Sequence, residues 1–419
     1  MLRMTPTARR KSRGGLGSAL ALALALAGGA VVGTAATGTP AMAQNSKAFA
    51  KAYEPVAGLV NAEGGDPAAA KAGIPAVIAA IETADDRNMA GNLVLILGNR
   101  LKDPVLQRQG LELMLESGKV APEQIGQFQY LVGSLAYNAQ DWAAARAALQ
   151  AAAAAGYTAD SPEALIAESY FGEGQNAQGL QYLRGLIDKR AGAGQPVPEA
   201  WLVRGLQVAY KANLPEQKLD WSALLVTHSA SDKKWLQALQ VVHTLNTDDR
   251  QAQLDLLRLM SLTNAMSARS EYVSYIEAAD PRIMSNEVAK VLDAAVQAGV
   301  LSTGDTYYSE VKRVVDERAA ADRADAPKLA AAARSSATAK EAQNAGDVFL
   351  SLGAYAEAEE MFALALEKSG VNRDQALTRL GIAQVHQGKY AEARATLGQV
   401  SGARTSVARM WSAYAETRA

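Results

Sequence analysis

The sequence predicts an all-α protein, an α–α superhelix in which helical hairpins are laid side by side. Three observations predict it. First, the chain repeats itself: Gly346, Gly353, Tyr355 and Ala358 recur 35 residues later as Gly381, Gly388, Tyr390 and Ala393, and a fixed period in this range marks a repeat architecture. Second, hydrophobic residues make up 49% of the chain but aromatics only 6%. Much of the remainder is alanine, which suits closely crossing helices, and the Val, Ile and Thr alternation of strands is missing. Third, glycines punctuate apolar stripes of helical spacing, where helix ends are needed.

Each copy of the clear repeat reads as two helices and a tight turn. Ala345 and Gly346 are small where the first helix must approach its partner, and Phe349 fills the space one turn later. Gly353 ends that helix, since a residue without Cβ takes the left-handed conformation at little cost. Tyr355 opens the second helix, Ala358 permits the close crossing, and Phe362 and Leu366 complete the apolar stripe. One hairpin cannot bury both faces, so it stacks on neighbours.

These residues resemble the tetratricopeptide repeat. Gly346, Phe349, Gly353, Tyr355, Ala358, Phe362 and Ala365 stand at the family's small and aromatic positions. The second copy matches at Gly381, Gly388, Tyr390 and Ala393 and departs at Gln384 and Leu397, where aromatics are usual; Gly370 replaces the proline that commonly ends a repeat. The resemblance implies a right-handed solenoid that binds a protein or peptide.

At the N-terminus, residues 1–43 have the pattern of a Sec-type export signal. Arg3, Arg9, Arg10, Lys11 and Arg13 form a basic region, an apolar core follows, and Ala41-Met42-Ala43 is a cleavage triplet placing the cut between Ala43 and Gln44. Lys11, Ser12 and Arg13 depart from the twin-arginine motif that Arg9-Arg10 would begin. A periplasmic or secreted location is expected, with no membrane segment kept after cleavage; the alternative is an uncleaved anchor, which the alanine- and glycine-rich core suits less well. The chain has no cysteine, which rules out disulfides, thiolate chemistry and a lipidated cysteine. Loss of those five basic residues takes the formal net charge from −1 to −6. An acidic chain without a basic cluster does not fit nucleic acid or an anionic membrane surface.

Residues 44–125 read as worn helical repeats, with Asp66-Pro67 and Asp103-Pro104 as helix starts. Residues 126–191 form a clearer tetratricopeptide-like pair at a period of 34. Here Gly133, Ala136, Ala145 and Leu149 return as Ala167, Tyr170, Gly179 and Leu183, and Asp141 caps a helix opened by Trp142. Residues 192–338 are degenerate hairpins. They begin at the loop-like 191–198, are anchored by Trp201, Trp221 and Trp235, and end in an alanine-rich charged tract around Pro327 that suits either an exposed helix or a joint. Residues 339–401 are the second tetratricopeptide-like pair. Residues 402–419 carry Met410, Trp411 and Tyr414 on one side and read as a capping helix.

Motifs that imitate catalytic sites fall within this repeat grammar. Gly172-Glu-Gly174-Gln-Asn-Ala177 has dinucleotide-loop glycines but sits at a turn between helices, without the strand such a loop requires. Glu168-Ser169 resembles the catalytic segment of soluble lytic transglycosylases, which implies Glu168 as general acid and base. The family's later Gly-Met-Gln stretch is absent, and the pair lies in step with the repeat. Ser231 to Lys234 has acyl-enzyme spacing and reads more simply as a helix cap. His228, His243 and His386 are isolated, so no metal site and no cofactor are expected.

The repeat register of the family implies a set of ligand-facing positions. They are Gln127, Tyr130, Tyr137 and Asn138, then Glu168 and Phe171, then Lys340, Gln343 and Asp347, and last Gln375, Thr378 and His386. The set mixes aromatics, amides and both charges. The expected function is a non-catalytic exported scaffold or adaptor holding a protein or peptide along this face. The alternatives are a glycan-processing enzyme built on Glu168 and a peptide- or glycan-binding chaperone or sensor.

Overall fold

Helices begin where the caps predict. In the computed structural model, which describes residues 45–419 apart from 63 and 246–248, Ser46 caps α1 (Lys47–Asn61), and Asp66 accepts from two backbone amides at the head of α2 (Pro67–Ala79). Thr83 and Asp86 form a reciprocal capping box on α3 (Ala84–Leu101), and Asp103 caps α4 (Pro104–Glu116). The predicted export signal lies outside the described residues.

The hairpins continue with α5 (Pro122–Asn138) and α6 (Trp142–Ala154), the latter capped by Asp141 as expected. Next come α7 (Pro162–Gly172) and α8 (Asn176–Gly192), then α9 (Glu199–Lys211) and α10 (Pro215–His228). Gly172 and Gly174 therefore mark an interhelical turn. Ser231 caps α11 (Asp232–His243) by accepting from the Lys234 amide, which accounts for its spacing to that lysine.

The second half runs through α12 (Arg250–Leu262), α13 (Arg269–Ala279), α14 (Ser285–Gln297) and α15 (Thr306–Ser335). The tract around Pro327 is thus continuous helix rather than a joint. Then follow α16 (Ala339–Leu352), α17 (Tyr355–Leu366), α18 (Arg373–His386) and α19 (Tyr390–Leu397). A single 3-10 turn (Gly402–Arg404) leads into α20 (Thr405–Glu416). No strand occurs among the described residues. Gly353 closes α16 in the left-handed conformation at φ +78°, and a Cβ on Gly346 would stand 2.7 Å from the Phe362 ring, so both repeat glycines answer to the demands that predicted them.

Consecutive helices pack as antiparallel neighbours throughout, and three buried apolar clusters result. One lies within α1–α4, one within α7–α10, and a large one runs from α10 to α20. Helices two apart touch on the inner side, as α5 does α7 and α14 does α16. In the second half this inner side closes on itself. Helix α12 meets both α18 and α20, and α20 also packs on α10 and α11. Met410, Trp411 and Tyr414 share a buried side as predicted, yet the surface they cover lies in the middle of the chain as well as on the last hairpin. Tyr414 stands 5.8 Å from Trp235, ring to ring, and Arg409 pairs with Asp220 at 2.5 Å.

Candidate functional site

Side chains three, four and seven apart share a helix face, and this aligns an open polar strip across α5, α7, α9 and α11. On α5, Tyr130 and Tyr137 are half-buried, their rings 5.2 Å from Tyr157 and 5.4 Å from Trp142. Gln127 and Asn138 are exposed beside them. Burial, with the charge of Glu168 next, pushes the Tyr137 hydroxyl pKa up. On α7, Glu168 accepts two bonds from Arg204 of α9, Nε to Oε1 at 2.6 Å and a terminal nitrogen to Oε2 at 2.7 Å. That guanidinium also lies 5.3 Å over the Phe171 ring. Its hydrogen bonds to Glu168 raise the Arg204 pKa further.

Gln207 and Lys211 continue the face of Arg204 along α9. With Leu206 and Tyr210 they form one wall of a cavity of about 410 Å³, whose other wall is Gln237, Gln240 and Val241 of α11 and Thr244 just past its end. Tyr210 is 55% exposed. The strip therefore offers amide donors and acceptors, one lysine and a partly exposed aromatic ring, over which the Lys218 ammonium lies 5.4 Å from the centroid.

The second half of the expected set has a different fate. Asp255 of α12 is wholly buried and receives Arg258 at 2.7 Å, Arg379 of α18 at 3.2 Å and Arg404 at 2.7 Å. Arg258 also forks onto Glu287 of α14 at 2.7 and 2.8 Å, and Arg379 donates to both oxygens of Asp347 on α16 at 2.6 Å. Arg404 also reaches Asp249 at 3.5 Å, so three guanidiniums meet four carboxylates. Burial pushes the Asp255 carboxyl up, but Arg379, Arg258 and Arg404 outweigh it and hold its pKa below the ordinary value. Trp411 of α20 donates its indole N–H to the Asp255 carbonyl at 2.8 Å.

Accordingly Asp347 faces this charged centre, and Thr378 is fully buried, its hydroxyl donating to the Asp374 carbonyl at 2.6 Å. His386 stacks on Tyr355 with centroids 4.3 Å apart. Lys340 is exposed, while Gln343 and Gln375 bond to Asn372. The register places Asp347 and Thr378 on a ligand face; in the structure α18 meets α12 and α20 there instead, and Arg379 of α18 ties Asp347 to the Asp255 centre. The two halves of the expected set therefore do not form one surface.

Sequence reading missed Arg204, Asp255, Arg258, Glu287, Arg379 and Arg404. One clue existed: Asp255 and Arg258 interrupt the leucine-rich run of α12, in which both faces are apolar. The Glu168-Ser169 pair is also divided, since Ser169 is buried and donates to the Ile166 carbonyl at 2.7 Å.

Stacked antiparallel hairpins, an inner side made by alternate helices and an exposed amide-rich strip define the class: an all-α helical-repeat solenoid. No described helix is long and apolar enough to cross a membrane. The chain matches no protein-family model and no curated protein. Among solved structures it is similar to the TPR2AB-domain:pHSP90 complex of yeast Sti1, at 14% identity over 68% of this chain and 91% of that one, with a TM-score of 0.23. It is also similar to Naa15/Naa10 bound to HypK-THB, at 15% identity over 82% of this chain, with a TM-score of 0.37; it spans 56% of that chain. Neither likeness is close enough to carry a function or a partner across.

Proposed function

We propose that this chain is an exported, non-catalytic adaptor that holds an extended protein or peptide segment along the strip of α5, α7, α9 and α11. The observation that carries this reading is the strip itself. Gln207, Tyr210, Lys211 and Gln240 stand exposed around a cavity of about 410 Å³, with Gln237 half-buried among them, whereas the inner helices of the second half are occupied by one another. Amides satisfy the backbone groups of an extended segment, and a half-exposed tyrosine gives an aromatic anchor of the kind that dominates interfaces. Export rests on the basic, apolar and Ala-x-Ala pattern of residues 1–43.

The test is in-cell crosslinking from the strip, with a photoreactive residue at Gln240 in the chain expressed with its own leader. A defined protein adduct is expected, lost when Tyr210→Ala and Gln207→Ala are combined. An adduct pattern unchanged by those substitutions overturns the assignment of the strip. Release of muropeptides from peptidoglycan, abolished by Glu168→Gln, overturns the non-catalytic reading. Fractionation of the same cells checks export, and retention of the uncut chain in the cytoplasm overturns it.

A further inference from the structure

A second pocket lies in the closed half of the molecule, apart from the strip. It has a volume of about 170 Å³ and opens between α12, α14, α16 and α18. Its walls are of two kinds. Leu262, Val291, Leu350 and Ile382 are aliphatic, while Arg258, Glu287, Lys290, Tyr355 and His386 are polar.

The polar wall is chemically unfinished. Glu287, the carboxylate of the pocket lining, is already held by two nitrogens of Arg258 and by the Tyr275 hydroxyl at 2.8 Å. Of the charged groups that line the pocket, Arg258 and Glu287 are paired with each other, which leaves the ammonium of Lys290 as the lining charge without a partner. Among the described residues, the Lys290 ammonium, the Tyr355 hydroxyl and the ring nitrogens of His386 have no hydrogen-bond or ion-pair partner. Yet His386 is held in place, stacked on Tyr355 within 4° of parallel and flanked by Trp411 at 6.0 Å. Fixed donors facing an aliphatic recess, with one unmatched cation, are complementary to an anion on a short apolar body.

We propose that this pocket binds a small aliphatic monocarboxylate, with Lys290 as its charge partner and Tyr355 and His386 as hydrogen-bond partners. The volume sets the size: at about 30 Å³ per water it holds roughly five or six water volumes, room for a carboxylate on a short chain. It lies below the ~300–1,000 Å³ of pockets that take larger ligands. The inference stands independently of the strip and its partner.

Sodium hexanoate serves as the probe on the full chain, followed by the ring resonances of the three histidines, with His386→Gln to assign the His386 signal. Hexanoate is expected to shift the His386 resonance and raise the melting temperature. Hexanamide and hexylamine, which lack the anion, should bind at least about tenfold more weakly. Lys290 is exposed, so Lys290→Gln should leave the unliganded melting temperature in place and weaken hexanoate by about tenfold or more. A silent His386 signal, equal binding of hexanamide, or full affinity in Lys290→Gln would each overturn the proposal. So would a peptide bound through its C-terminus more tightly than hexanoate, since the pocket would then belong to a chain end.

Discussion

Arg379 and Asp255 stand 124 positions apart and meet at 3.2 Å, Nε to Oδ1, inside the molecule. The pair fastens α18 to α12, and Arg404 fastens the start of α20 to the same carboxylate. A repeat array that only stacked neighbour on neighbour would have no such bond. The bond converts the second half from an extendable ribbon into a closed body.

Asp255→Ala should therefore be among the costliest single changes. It leaves Arg258, Arg379 and Arg404 buried around a missing charge, and breaking such a site from one side costs about 3–5 kcal/mol. Urea denaturation measures it directly. A loss under about 1 kcal/mol would mean that water reaches the centre.

Stability should also fall with mild acid, through His386. Burial first, then the cations Arg258 and Lys290 against the opposing pull of Glu287, push its pKa down to about 4 from an ordinary 6.5. The unfolded chain therefore takes up a proton that the folded chain refuses. The contribution is intact above pH 6.5 and drains away as pH falls from there towards 4, by about 2 kcal/mol at pH 5. His386→Gln removes the titration, so its stability should decline less between pH 7.5 and 5 than that of the unchanged protein. Parallel declines would refute the burial of this ring.

Two glycine-to-alanine changes should move stability in opposite directions. A Cβ on Gly205 would sit 2.1 Å from the indole of Trp221, which is 1% exposed and has nowhere to go. Overpacking of this kind costs about 1–3 kcal/mol. Gly185 lies within α8 with nothing near it, so alanine there gains helix propensity of up to about 1 kcal/mol. Thermal unfolding of the two variants side by side checks the signs.

What the sequence discloses follows the range of the interaction involved. The aspartate caps at Asp66, Asp103 and Asp141, the turn at Gly353 and the crossing at Gly346 obey rules spanning a few residues, and the helices appear where those rules put them. Repeat spacing then gives the stacking of hairpins. Arg379 and Asp255 obey no local rule, so the closure of the second half is invisible in the sequence, and with it the pairing of Asp347 with Arg379 and the burial of Thr378. Glu168 was legible as a polar position on its face, but Arg204 was not legible as its partner, because a paired and an unpaired arginine look alike in a sequence. Local chemistry also cannot separate a joint from a helix when proline sits in an alanine-rich tract.

Pro327 presents that last ambiguity as a measurable quantity. It lies inside the 30-residue α15, where it cannot donate a backbone bond to the carbonyl four residues earlier and its ring crowds that carbonyl, a cost of about 3 kcal/mol in a helix interior. Contacts on both sides hold the helix together across it. Before the proline, Arg323 donates to Asn286 at 2.9 Å and Ser285 donates to Asp322 at 2.6 Å. Beyond it, Arg334 pairs with Glu360 at 2.8 Å, and Lys368 donates to the Ala333 carbonyl at 2.8 Å. The buried face is Ala326, Ala330 and Ala333, while Pro327 is exposed, so alanine at 327 sacrifices no packing. Pro327→Ala should stabilise the protein by up to about 3 kcal/mol and slow amide exchange on both sides of position 327. Destabilisation, or faster exchange there, would show instead that the neighbouring contacts need the bend a proline imposes.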